Sequence, residues 1–235
     1  MTAIMDHYYT DSRGSNLRFP KLNVLPGAKI NTLVDEAIKA ISIVPDSVTE
    51  IVNPDIVYII GGIPDATHRI EDDDYNYQEV VFMDSAYQGA DRLIREYESA
   101  STRIQSAGAI PVFSTIPPMN LDIYNHYRLS RGSTSHLIHF KYYDDMQTLL
   151  ESALAMVNRH ILEMNEANQM ITPNLAGYIT CKRGMRQGYR YRYNKLYDGC
   201  HPVSSVKGKW QRALETISSL NRQVHSGRHI VAEVP

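Results

Sequence analysis

The sequence predicts an α/β fold, in the form of a three-layer α/β/α sandwich around a flavodoxin-like, doubly wound, five-stranded parallel sheet. Two observations predict it: short extended segments alternate with long helical patterns, and residues 56–60 form a continuous apolar run typical of a central strand. No apolar run approaches the roughly 18 residues that span a bilayer, so no membrane-spanning segment is expected. Residues 1–235 are therefore expected to form a single domain.

Five segments are predicted as strands, because apolar residues are concentrated there between turn-forming residues. The third is the clearest, since Pro and Gly residues bound it on both sides, and the last has the weakest pattern. The predicted strands are residues 2–9, 22–25, 56–60, 110–115 and 178–180.

Four longer segments place apolar residues on one face of a helix. They are residues 30–41, 87–104, 146–164 and 206–220. Asn31 is predicted to cap the first of them, because its side-chain oxygen can accept from unpaired amides of the first turn. With right-handed crossovers, the carboxyl ends of the strands gather along one edge of the sheet, where functional sites lie.

Residues 119–140 are polar, contain tyrosine, histidine and arginine, and show no clear periodicity. We interpret about 119–143 as a surface insertion over the site edge and as a candidate lid. Its histidines, His126, His136 and His139, lack a convincing pattern of carboxylate partners. The sequence therefore predicts neither a metal site nor another cofactor.

The composition is that of a soluble globular protein, with 43% hydrophobic and 21% charged residues. The net charge of −2 provides no general attraction to nucleic acid or to an anionic membrane, so such contact needs a local patch. The amino-terminal segment lacks the features of a signal peptide, and Cys181 and Cys200 form neither a disulfide framework nor a zinc set. An intracellular, cytoplasmic location is expected.

Ser12 follows the first predicted strand within Asp11-Ser12-Arg13-Gly14. A serine at this point would project its hydroxyl from the carboxyl edge of the sheet, and its amide could point into the site. For an isolated Asp-Ser pair, an ordinary turn or helix cap would be the better interpretation.

Asp198 and His201 lie three residues apart just before the last predicted helix. This spacing can bring a carboxylate beside an imidazole, where it fixes the ring tautomer and stabilises the imidazolium. The alternative is an Asp-Gly turn with a surface histidine. Cys200, between the two, is interpreted as a packing residue.

Together these segments resemble the SGNH (GDSL-like) hydrolase family over nearly the whole chain. Members of that family have a serine after the first strand, matched by Ser12, and a glycine after the second, matched by Gly27. Their Gly-x-Asn-Asp motif after the third strand appears here as residues 62–65. Their Asp-x-x-His motif before the last helix is matched by Asp198 and His201.

The resemblance implies a catalytic triad in which Ser12 is the nucleophile, His201 the base and Asp198 the group that orients it. It also implies an oxyanion hole formed by the amides of Ser12 and Gly27. The family's oxyanion-hole asparagine is replaced by Pro64, which has no donor in its side chain or backbone. Losing one such donor costs about 10²–10³ in rate.

Basic and aromatic residues alternate through residues 182–195, directly before the Asp-x-x-His motif. Cations can hold phosphates while tyrosines stack on bases, as in single-strand nucleic-acid binding. The candidate contacts to substrate or nucleic acid are Arg186, Tyr189, Arg190, Tyr191 and Arg192. The alternative, which we favour, is a solvated hairpin or loop whose tyrosines pack on the domain.

The leading hypothesis is therefore a serine esterase that acts on a small ester or O-acetyl substrate. The alternative is an SGNH-fold binding or assembly module with little or no catalysis, associated with nucleic acid through residues 182–195. Neither the substrate nor the oligomeric state is indicated by the sequence.

Overall fold

The computed structural model describes most of the chain in nine ranges. These are residues 2–6, 21–25, 28–42, 55–71, 76–80, 85–133, 137–138, 143–181 and 190–225. The strands are β1 Thr2–Asp6, β2 Lys21–Leu25, β3 Asp55–Ile60, β4 Thr67–Glu71, β5 Asn76–Val80, β6 Ala109–Phe113, β7 Leu137–Ile138, β8 Thr180–Cys181 and β9 Arg190–Tyr191. The α-helices are α1 Ile30–Ser42, α2 Ala86–Ser106, α3 Leu121–Ser130, α4 Tyr143–Ala167 and α5 Ser204–His225. Within these ranges no helix is both long and apolar enough to cross a membrane.

The main sheet has four parallel strands in the order β2-β1-β3-β6. These correspond to the first four predicted strands, and the α/β class is confirmed. β3 lies inside the sheet, and all of residues 56–60 are buried, as their continuous apolar run predicted. Since the strands are parallel, their carboxyl ends lie along one edge.

Helices cover both faces of the sheet. Alternate residues of β3 point to opposite faces, so they pack against different helices. Val57 and Ile59 pack in a cluster with buried residues of α1, α2 and α4. On the other face, Ile60 packs with Val206 and Trp210 of α5. This three-layer arrangement agrees with the predicted sandwich, and the four predicted helices correspond to α1, α2, α4 and α5.

The predicted fifth strand at residues 178–180 is wrong. Ala176–Ile179 is a 3₁₀ helix, and Thr180 pairs antiparallel with Tyr191 in a separate two-stranded ribbon. A 3₁₀ helix repeats every three residues, so it buries Ala176 and Ile179 and exposes the residues between them. Over so short a segment, this pattern cannot be told from a strand. In the described part of the chain the main sheet therefore has four strands.

Asparagine side chains of α4 bind the backbone at the end of β6 and just beyond it. Asn165 of α4 accepts from the Phe113 amide at 3.0 Å and donates to the Phe113 carbonyl at 2.7 Å. Asn158, two turns earlier on α4, makes the same pair of bonds to Ile116, three residues after β6 ends, at 2.6 and 2.8 Å. Each amide satisfies both backbone groups of one residue, so at Phe113 the helix α4 makes the hydrogen bonds that a neighbouring strand could make.

Two elements were not predicted. One is a small sheet in which β4 pairs antiparallel with β5, and β5 pairs in parallel with β7. The other is α3, which lies within the segment interpreted as an insertion without periodicity. Only Leu121 and Asn125 are buried on this helix, so it has almost no apolar stripe.

Candidate active site

A short loop at residues 196–202, which we call the triad loop, lies between a 3₁₀ turn and α5. Its two ends are joined by a β-bridge between Leu196 and Pro202. Inside this bridge, the Tyr197 amide donates to the His201 carbonyl at 2.9 Å. The loop is therefore closed on itself, which fixes the positions of the side chains between its ends.

The triad loop brings Asp198 and His201 together. His201 Nδ1 is hydrogen-bonded to Asp198 Oδ2. The other carboxylate oxygen accepts from the backbone amides of Cys200 at 3.0 Å and His201 at 2.6 Å. Asp198 is 4% exposed, and 21% of the His201 side chain is exposed. A buried carboxylate thus holds one nitrogen of a partly accessible imidazole.

Asp198 is held in its ionised form. Burial alone would raise its pKa, but the hydrogen bond and charge of His201, with the two backbone amides, outweigh that effect. The pKa of Asp198 is consequently lowered from its ordinary value. Because this carboxylate engages Nδ1, Nε2 is the ring nitrogen that remains for proton transfer to or from a substrate.

Gly199 allows α3 to pack directly on the triad loop. Its carbonyl accepts from the Asn120 amide at 2.7 Å, and its φ is +82°. A Cβ at this position would lie 2.5 Å from the Tyr124 amide nitrogen and 2.6 Å from the Asn120 carbonyl oxygen. Asn120 also caps α3 by accepting from the Ile123 amide at 2.8 Å. The sequence indicated an Asp-Gly turn here but not its contact with α3.

The triad loop lies beside the carboxyl end of the central strand. Ile60, the last residue of β3, packs in one cluster with Leu196 at the start of the loop. β1 is the neighbour of β3 in the sheet and ends at Asp6. The predicted nucleophile Ser12 and the predicted oxyanion residue Gly27 lie outside the described residues, so both stay predictions.

Residues 62–65, which replace the family's Gly-x-Asn-Asp motif, form a tight turn after β3. The Asp65 amide donates to the Gly62 carbonyl at 3.2 Å. The Asp65 carboxylate accepts from the Ile30 amide at 3.1 and 3.2 Å and so caps α1. Burial raises the pKa of Asp65 to about 6, against the opposing effect of that hydrogen bond.

The prediction that Asn31 caps α1 is wrong, since the Asn31 side chain is hydrogen-bonded to Glu96 and Arg103 instead.

Two tyrosines and an arginine lie beside His201. Tyr197 stacks on the His201 ring with centroids 5.5 Å apart and an interplanar angle of 24°. Tyr127 of α3 meets Tyr197 edge to face at 5.9 Å. The Arg131 guanidinium lies over the Tyr127 ring, 5.4 Å from its centroid. We call Tyr197, Tyr127 and Arg131 the aromatic wall.

The basic-aromatic segment is described only in part. Arg186 and Tyr189 lie outside the described residues, as does the side chain of Arg190. Tyr191 is half-buried and packs against the cluster that contains Ile60, whereas Arg192 is exposed. These residues stay predicted contacts, although the packing of Tyr191 agrees with the alternative interpretation of tyrosines that pack on the domain.

A separate groove of about 350 Å³ runs along α5. Lys209, Arg212 and Thr216 line it with Tyr178, which is 41% exposed. None of its lining residues belongs to the triad loop. Within the described ranges, no group of three or more histidine, cysteine or acidic residues is arranged to hold a metal ion.

Comparison with known proteins assigns the fold. No protein-family model matches the sequence, and no curated protein matches it. The structure is similar to that of a GDSL-like lipase from Bacteroides thetaiotaomicron, with a TM-score of 0.50 and 11% identity over 93% of this chain and 85% of the lipase. An acetyl xylan esterase has a TM-score of 0.47 and 14% identity over 94% of this chain and 100% of the esterase. The likeness to the GDSL-like lipase shows that the chain has the fold of the GDSL-like, or SGNH, hydrolases.

Proposed function

We propose that this protein is a serine esterase in which Ser12, His201 and Asp198 act as a catalytic triad on a small ester or O-acetyl substrate. The observation that supports it best is the Asp198–His201 pair, in which a buried, ionised carboxylate binds Nδ1 of a partly exposed imidazole. The fold supports the same proposal, since the pair lies beside the carboxyl end of β3 and the chain reaches Ser12 soon after the adjacent β1.

The reaction proceeds in two steps. Ser12 Oγ bonds to the ester carbonyl carbon while His201 Nε2 takes the hydroxyl proton, and Asp198 stabilises the imidazolium. The bond to the alcohol oxygen then breaks, and His201 returns the proton to that oxygen. Water attacks the acyl-enzyme with the same proton transfers in the second step, which releases the acid and regenerates Ser12.

The oxyanion hole sets the rate. The amides of Ser12 and Gly27 are the proposed donors, and Pro64 contributes none. One missing donor costs about 10²–10³ in rate. We therefore expect slow hydrolysis, and restoring the asparagine amide at position 64 should raise kcat by about tenfold or more.

The test is hydrolysis of p-nitrophenyl acetate and butyrate by wild type, Ser12→Ala, His201→Ala and Pro64→Asn. Activity should fall to background in the first two variants and rise in the third. His160→Ala is the matched control, because His160 is a similarly accessible histidine that binds Glu98 on α2. Wild-type activity that equals that of Ser12→Ala on both esters would refute the proposal.

A second candidate function is nucleic-acid binding without catalysis, which the groove along α5 favours. Its lining contains Lys209 and Arg212 and no acidic residue, and Tyr178 offers an exposed ring for stacking. The groove also adjoins β8, from which the basic-aromatic segment begins.

Filter binding of single-stranded RNA across a salt series tests this second function. Lys209→Gln with Arg212→Gln should weaken binding and reduce its salt dependence, whereas the exposed control Arg95→Gln should not. Absence of binding, or equal binding by both variants, counts against it.

A further inference from the structure

The position of the aromatic wall beside His201 indicates which part of a substrate it would contact. In the proposed mechanism, His201 delivers a proton to the departing alcohol, so the alcohol part of the ester must lie next to the imidazole. Tyr197 is stacked on that imidazole and is 53% exposed. The wall therefore borders the alcohol part of a substrate and not its acyl part.

The wall is held in place by the same contacts that fix the triad loop. Tyr127 lies on α3, Arg131 caps the carboxyl end of that helix one turn later, and the Asn120 amide at its start donates to the Gly199 carbonyl at 2.7 Å. Tyr197 belongs to the loop itself. The two rings consequently keep their positions relative to His201 without any substrate present, which lowers the entropy cost of binding.

Arg131 gives the wall a positive charge. It is exposed, and among the residues that the structure describes it forms no ion pair with a carboxylate. Both tyrosines present ring surface and hydroxyls, and burial with the nearby Asp198 charge raises the pKa of Tyr197 to about 12, so its phenol stays neutral. Ring faces beside a cation suit a ligand that has rings and a negative charge.

We infer that Tyr197, Tyr127 and Arg131 bind the alcohol part of the substrate, and that this alcohol is elongated, contains rings and carries a negative charge. The inference rests on the proposed esterase function. Successive separations of 5.5, 5.9 and 5.4 Å lead from His201 to the guanidinium. The guanidinium lies over the second tyrosine of this series and not over the one stacked on His201, so the charge should lie beyond the first ring of the alcohol.

Acetyl esters of matched phenols test the inference. The long anionic probe is 4′-acetoxybiphenyl-4-carboxylate, its neutral match is the 4-carboxamide, and the short anionic probe is 4-acetoxyphenylacetate. A probe with a 4-phosphonate in place of the carboxylate shows whether the site prefers a carboxylate or a phosphate-like anion. Wild type should hydrolyse the long anions with a kcat/KM about fivefold above that of the carboxamide, because their KM is lower. The kcat/KM of the short anion should not exceed that of the carboxamide.

The variant is Arg131→Met, which keeps a flexible apolar chain over Tyr127 and removes the charge. It should lose the preference for the long anions, whereas Arg95→Met, which removes an exposed cation ion-paired with Asp91 on α2, should retain it. High salt should weaken the wild-type preference. Ser12-dependent hydrolysis with no preference for charge overturns the inference and leaves the esterase proposal intact.

A binding measurement separates the two proposals. If no ester is hydrolysed above the Ser12→Ala level, the esterase proposal fails, and calorimetric titration with 4′-hydroxybiphenyl-4-carboxylate and its carboxamide replaces kinetics. Tighter binding of the carboxylate that is lost in Arg131→Met supports the wall as an anion-binding surface. Equal binding of both phenols, or binding that does not depend on Arg131, overturns it.

Discussion

Asp65 is a partly buried acid, and its surroundings disfavour the ionised carboxylate. Burial raises its pKa from 3.8 to about 6, while the Ile30 amide and nearby Lys29 act in the opposite direction. Between these two values the folded protein binds more protons than the unfolded chain, so the contribution of Asp65 to stability falls as the pH rises from 4 to 6. Above pH 6 the cost levels off at about 3 kcal/mol or less, from about 1.4 kcal/mol per pKa unit.

Asp65→Asn should remove this pH dependence. The asparagine oxygen can still accept from the Ile30 amide but cannot ionise. Urea unfolding at pH 4, 5, 6 and 7 should give similar free energies for both proteins at pH 4, and a more stable variant at pH 7. A difference between the two proteins that stays constant over this range would show that the pKa of Asp65 is not raised in the folded state.

Gly199 is the residue on which the packing of the triad loop depends. Gly199→Ala should destabilise the protein by about 2 kcal/mol or more, because a positive φ is combined with close approach of the α3 backbone. The proposed esterase activity should fall with it, since His201 follows in the same loop.

Gly108→Ala is the matched control. Gly108 has a φ of +84°, and a Cβ added there would meet no atom of the described residues within 4 Å. It should therefore show only the backbone strain, about 1–2 kcal/mol. Equal loss of stability in the two variants, measured by thermal unfolding, would mean that contact with α3 adds nothing.

At the level of single residues, the sequence predicted a pair of residues within one loop better than contacts between distant parts of the chain. The Asp-x-x-His spacing made the Asp198–His201 pair possible, because both residues share one short loop, and the resemblance to the SGNH hydrolases decided between that pair and an ordinary turn. The bond from Ile30 to Asp65 spans 35 positions and depends on how β3 meets α1. No local pattern reports such a contact, and the asparagine at position 31 offered a nearer, incorrect cap.

At the level of elements, the helix α4 stabilises the edge of the sheet through hydrogen bonds. Asn165→Leu should cost about 2–4 kcal/mol, because it leaves the buried Phe113 amide and carbonyl without partners. Asn168→Leu is the control on the same helix end, where the asparagine side chain accepts from Gln105 at an exposed position. Urea unfolding at pH 7 measures both, and equal losses would contradict a specific role for Asn165.

Elements with a broad apolar face were predictable, and those without one were not. The four long amphipathic patterns and the continuous run of β3 correspond to elements of the structure. α3 was missed because it buries Asn125 where a leucine would have marked a helical face. The strand expected at 178–180 failed because three residues cannot separate a period of two from a period of three.

At the level of the whole molecule, the sequence predicted the layers but not the width of the sheet. Alternating patterns are sufficient to indicate helices on both faces of parallel strands. The number of strands depends on what binds the backbone of the last strand, and here Asn165 binds the end of β6 at Phe113 while Asn158 binds the segment that follows at Ile116. Asparagines on a polar helix resemble any solvated surface until their partners are known.

The same asparagine contact recurs outside the main sheet. Asn125 binds both backbone groups of Ile138 at 2.9 and 2.7 Å, and Asn221 binds both groups of Ile171 at 2.7 and 3.1 Å. Amide protons of this kind exchange with solvent only when their partner leaves. Deuterium uptake at a bonded isoleucine should therefore report how often its helix lifts from the rest of the molecule.

Peptide-level exchange would thus time the undocking of α3, α4 and α5 separately. If uptake at Ile138 is faster than at Phe113, α3 detaches while α4 stays docked, and the wall beside His201 opens without global unfolding. Each of these helices holds at least one such amide, so the exchange rate of that amide reports how often the surface under that helix opens.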